Sequence, residues 1–100
     1  MLKVQKTKQF AKWMTGLKDQ RARSAIAARI DRLAFGQSGD AKPVGMGVSE
    51  LRIHIGKGYR VYYKQQGKYL FILLCGGDKA TQQRDIKMAK ELVKLIEEQS

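Results

Sequence analysis

The apolar residues of this chain change period twice. Phe10, Trp13, Met14 and Leu17 stand at i, i+3, i+4 and i+7, and Ala22, Ile26, Ile30 and Leu33 continue at helical spacing. From Val48 the period drops to two, with Leu51, Ile53 and Ile55 on one side and Glu50, Arg52 and His54 on the other. Helical spacing returns with Ile86, Ala89, Val93 and Ile96. Helices gathered at both ends of a block of strands imply one α+β domain over residues 1–100: a small, mainly antiparallel sheet with an N-terminal helical hairpin and a C-terminal helix. The expected order is βααβββα.

Local signals place the boundaries. Leu2 and Val4 in "MLKVQ" suit a short opening strand, Thr7 a first helix cap and Asp19 a second, with the second helix stopping near Gly36. The stretch "GQSGDAKPVGMG" holds four glycines and the sole proline without periodicity, and reads as a loop. Gly56, Lys57 and Gly58 form a three-residue turn between two strands, which would set His54 opposite Arg60, Arg52 opposite Tyr62 and Glu50 opposite Lys64. "YLFILLC" reads as a central strand buried on both faces, broken by Gly76 and Gly77, and Asp78 or Thr81 caps the last helix.

Charge and residue supply narrow the function. Twenty Lys and Arg against nine Asp and Glu give a formal charge of +11, beyond the magnitude of about 2–8 that solubility asks of a small domain. A polyanion, either nucleic acid or an acidic protein segment, is the implied partner. One His and one Cys cannot build a zinc site, and P-loop, GxGxxG and nucleophile-elbow patterns are absent, so no metal or cofactor is expected. A lone Cys75 in an apolar run suits a reducing cytoplasm, and the longest apolar run is too short for a bilayer.

The remaining chemistry is cationic. Arg52, His54, Arg60 and Tyr62 share the outward face of the hairpin, with Lys79 entering from the loop after the central strand. Pre-placed cations can stabilise the phosphorane formed when RNA is cut by its own 2′-hydroxyl. His54 is a candidate for proton transfer near neutral pH, as are Tyr62 and Glu50. Arg84, Lys57 and Lys64 are candidate nucleic-acid contacts around this face. Surface arginines pairing with Glu50 or stacking on Tyr62 would give the same pattern without catalysis.

The segments "GD.KPVG.GVSELRI..GKGYRVYY" and "LLCGGDKATQQRDI..A..L", with the spacing of Val4, Thr7, Phe10, Trp13 and Leu17 before them, resemble the RelE/ParE superfamily of toxins from toxin-antitoxin modules, in its HigB-like "addiction module killer protein" branch. The resemblance spans nearly the whole chain. It implies a cytoplasmic, ribosome-associated endoribonuclease that cuts messenger RNA during translation without a metal and is restrained by a cognate antitoxin, often of helix-turn-helix type. It matches Arg60 in "GYRV" to the phosphate-contacting arginine, Arg52 in "ELR" to a basic strand residue, and Lys79 in "GGDK" to the basic position after the last strand. The chain departs from RelE-type sequences in having Glu50 where they tend to carry lysine, and no Tyr or His beyond the final strand. Two alternatives share the scaffold: a ParE-like inhibitor of DNA gyrase, and a catalytically inactive basic module that binds only antitoxin and nucleic acid.

Overall fold

A computed structural model describes residues 2–99; Met1, the first residue of the stretch expected as opening strand, lies outside them. The elements are β1 (Lys3–Lys6), α1 (Lys8–Gly16), α2 (Gln20–Ala34), β2 (Ala41–Gly45), β3 (Val48–Ile53), β4 (Tyr59–Gln66), β5 (Leu70–Gly77), a 3₁₀ turn (Lys79–Thr81) and α3 (Gln82–Glu98). The five strands lie in the order β1-β5-β4-β3-β2, antiparallel except for β1 alongside β5. The α+β class is as expected, with one strand more than the sequence indicated.

That extra strand corrects the reading of residues 36–47 as loop. Ala41–Gly45 pairs antiparallel with β3, and the connection is Met46-Gly47, with φ of 56° and 75°. Two successive positive φ angles make the tight turn whose twist matches a hairpin. Pro43 is tolerated because β2 is an edge strand.

Helices cover both faces of the sheet. Phe10, Ala22, Ile26 and Leu33 of α1 and α2 pack on Leu51, Val61, Tyr63 and Leu73, while Ala89 and Val93 of α3 pack on Val48, Tyr62, Ile72 and Leu74. Thr7 caps α1 by accepting from the Phe10 amide at 3.0 Å, and Asp19 caps α2 through Arg21 and Ala22. β5 is buried on both faces as its composition indicated, but it lies one place in from the edge strand β1, and the central strand is β4.

Two corrections concern the site. The β3–β4 loop runs over five residues, His54 to Gly58, so Arg52 faces Arg60, Glu50 faces Tyr62 and Val48 faces Lys64. Gly56 and Gly58 both take positive φ and fold the loop back on Ile53 and Ile55. Because the register moves by two residues, each side chain keeps its expected face and only its partner changes. Nor do Gly76 and Gly77 break β5, which runs through both. A bulge pairs Tyr62 with Cys75 but Tyr63 with Leu73, leaving Leu74 as the extra residue. Beyond it, Gly76 lies under the Trp13 ring and Gly77 under the Asp85 carboxylate, where a Cβ would overlap each.

Candidate functional site

Glu50 is the centre of the polar face. It projects from β3 toward α3 and is fully buried, a costly position for a carboxylate unless donors replace its hydration. Its Oε1 accepts from Arg52 Nε at 2.9 Å, and its Oε2 accepts from Tyr62 Oη at 2.9 Å and Gln82 Nε2 at 2.8 Å. Arg60 Nε stands 3.6 Å from Oε2, too far for a hydrogen bond, and is buried without another partner. Burial acts to raise the Glu50 pKa, but the three hydrogen bonds and the Arg60 charge outweigh it and hold the group below its ordinary value. Glu50 is therefore ionised at neutral pH.

The carboxylate holds both guanidinium groups near their Nε ends. Arg60 also donates from Nη1 to the Gly58 carbonyl at 2.7 Å, which fixes its fork against the β3–β4 loop. No described residue accepts a hydrogen bond from Arg52 Nη1 or Nη2, or from Arg60 Nη2. The Arg52 side chain is 29% exposed and that of Arg60 12%. Two guanidinium charges against one carboxylate leave an excess of one positive charge with donors to spare. Such a pair of planar forks is suited to binding a phosphate.

The 3₁₀ turn brings Lys79 to this rim. Asp78 caps the turn by accepting from the Ala80 and Thr81 amides. The Lys79 amide faces the Lys57 carbonyl at 3.4 Å, and its Cβ lies beside Gly58, the residue whose carbonyl anchors Arg60. Its side chain is exposed.

Tyr62 is fully buried, and its hydroxyl is committed to Glu50. Burial, the hydrogen bond to Glu50 and the Glu50 charge together push its pKa far upward. Tyr62 is thus a phenol that orients the carboxylate.

Four other sequence candidates lie apart from the carboxylate. His54 leaves β3 for the loop, is 71% exposed, and pairs with Asp40 through Nε2. Asp40 in turn accepts the Arg52 amide with its carbonyl, so His54 flanks the rim on the β2 side. Lys57 sits at the loop tip near Lys18 and Asp19. Lys64, at the other end of β4, pairs with Glu97 at 2.9 Å. Arg84 is 75% exposed and faces a groove between α1 and α3, with Asp85 3.5 Å away.

Sequence reasoning did not give Glu50 its central place and missed Gln82. Alternation placed Glu50 on the polar face, but its burial depends on α3 crossing that face. Gln82 lies within "GGDKATQ", and only the capped turn after β5 brings it to Glu50. Among the described residues no group of His, Cys, Asp and Glu could hold a metal ion, and no helix is long and apolar enough to cross a membrane.

The profile of a family described as phage derived protein Gp49-like (DUF891) matches residues 12–99. A protein of Haemophilus influenzae bearing the name "Uncharacterized protein" is 54% identical over 91 residues, which cover 91% of this chain and 92% of the relative. The matched span includes Glu50, Arg52, Arg60, Tyr62, Lys79 and Gln82.

Proposed function

Because the chain belongs to the Gp49-like family of phage-derived proteins, which is associated with toxins of toxin-antitoxin modules, we propose that it is such a toxin and acts as an endoribonuclease on messenger RNA at the ribosome. The observation that carries this reading is the pair Arg52 and Arg60, tethered by a buried carboxylate with guanidinium donors left unengaged. Their charge is oriented before any ligand arrives, which is what electrostatic stabilisation of a transition state requires.

In the proposed reaction a ribose 2′-oxygen attacks the neighbouring phosphorus. The O2′–P bond forms and the P–O5′ bond breaks, giving a 2′,3′-cyclic phosphate and a 5′-hydroxyl. Arg52 and Arg60 bind the non-bridging oxygens and Lys79 meets the growing charge. The 2′-hydroxyl loses a proton and O5′ gains one. Tyr62 is unsuited to give up a proton, since its hydroxyl is held by Glu50 and its pKa is pushed far upward. His54, beside Asp40 at the rim, is the proposed proton carrier. A cognate antitoxin would restrain the toxin, and acidic groups laid over this rim would satisfy the same donors.

The test is to map RNA 5′ ends after brief induction of wild type, Arg60→Ala and Arg52→Ala, with folding checked by circular dichroism. Loss of one preorganised donor should lower cleavage about 10²-fold or more. Undiminished cleavage by a folded Arg60→Ala protein overturns the assignment. A supercoiling assay with purified gyrase checks for the ParE-like alternative.

A further inference from the structure

Trp13 is the single tryptophan of the chain. Its indole lies over Gly76 so closely that a Cβ there would overlap the ring, and it meets Phe10 at a centroid distance of 5.8 Å. These contacts seat one part of the ring; the half-buried remainder lines a groove of about 630 Å³ between α1 and α3. β1 stops alongside Leu73, so the last residues of β5 have no strand neighbour on this side. Gln9 and Lys12 line one wall, and Arg84, Asp85 and Met88 the other.

The charges in the groove are unequal. Lys12 is exposed, and the Arg84 side chain is 75% exposed. Asp85 is nearly buried, accepts from the Thr81 hydroxyl through Oδ2, and has Arg84 Nε 3.5 Å from its Oδ1, so it offsets part of the Arg84 charge and leaves Lys12 as the excess. An immobilised aromatic ring with a cation on each wall is the chemistry that binds single-stranded nucleic acid: the ring stacks a base and the cations take the flanking phosphates. Leu17, Gly76 and Met88 give the groove an apolar floor beside the ring, and Lys12 and Arg84 add positive charge at its walls.

We propose that the groove between α1 and α3 is a stacking subsite in which Trp13 receives one base of single-stranded RNA while Lys12 and Arg84 hold its phosphates. The identity of the ligand as RNA rests on the ribonuclease reading. The first turn of α3 joins the two regions: Gln82 bonds to Glu50, and Arg84 lines the groove. A strand cut at Arg52 and Arg60 would pass this turn and leave a flanking base on Trp13.

Since Trp13 is the only tryptophan, its fluorescence reports on the groove. The full chain is titrated with a short 2′-O-methyl oligoribonucleotide, which lacks the attacking hydroxyl, and with DNA of the same sequence; binding is followed in parallel by anisotropy of the labelled strand. Saturable quenching is expected, and Lys12→Glu with Arg84→Glu should weaken binding at least about tenfold and remove the quench. Trp13→Leu should weaken it to a similar degree, and the charge variants decide the matter if that protein fails to fold. Equal quenching by DNA supports stacking as the source of affinity. Binding by anisotropy without quenching, or quenching that survives the charge reversal, overturns the proposal. Wild-type RNA cleavage with no quench sinks the subsite and spares the ribonuclease; quenching by a protein that cuts no RNA does the reverse.

Discussion

A carboxylate taken out of water requires donors in place of its hydration shell, and at Glu50 three hydrogen bonds and a second guanidinium supply them. Glu50→Gln leaves Arg52 and Arg60 facing a neutral amide, and should cost about 3 kcal/mol in urea unfolding. The pH dependence has a definite sign. The folded pKa lies below the unfolded value near 4.5, so the contribution of Glu50 is full above that pH. It fades as acid takes the pH through the depressed folded value. Unfolding midpoints from pH 7 to pH 3 should therefore drop further for wild type than for Glu50→Gln. Cys75 offers a separate check at this scale: burial raises its pKa to about 12, and its thiol donates to the Asp85 carbonyl at 3.4 Å. Its reaction with a thiol reagent at pH 8 should be limited by unfolding and speed up with urea.

Between residue and fold, the elements show what periodicity can and cannot report. The three helices, the buried strand β5 and the caps at Thr7 and Asp19 stand where the sequence placed them, because burial and capping are local patterns. The strand at Ala41–Gly45 left no such pattern; its one signal was Met46-Gly47 after a glycine, a turn read as part of a loop. Alternation assigned Glu50, Arg52, Arg60 and Tyr62 to one face but left their partners to the length of the β3–β4 loop, fixed by Gly56 and Gly58 together. Burial of that face was invisible because the covering helix lies far along the chain. Gly76 and Gly77 carry a testable consequence: Gly77→Ala puts a methyl into the Asp85 carboxylate and Gly76→Ala one into Trp13. Each should cost about 1–3 kcal/mol in thermal or urea unfolding. The first should also loosen the opening turn of α3, measurable as faster amide exchange at Gln82 to Asp85.

The whole molecule carries +11 on a sheet with helices on both faces, and the RNA binding proposed for it should depend steeply on salt. The logarithm of the binding constant should fall with the logarithm of salt concentration by about 0.7 per phosphate engaged on a single strand. Removing Arg52 or Arg60 should reduce that slope by about one such increment, as titrations at several ionic strengths would show. At this scale too, β1 pairs in parallel with β5, joining Lys3 to Leu70 and Lys6 to Leu73, while Thr7 bonds to the Leu74 carbonyl across 67 positions. Translation delivers β1 first and β5 last of the strands, yet β5 lies between β1 and β4. The hairpins of β2, β3 and β4 can form as they emerge, but closure of the sheet waits for the final strand, a contact of high order and hence slow. Until β5 has been made β1 stays unseated, and the interval before it docks is one in which a partner could meet a molecule whose sheet is still open.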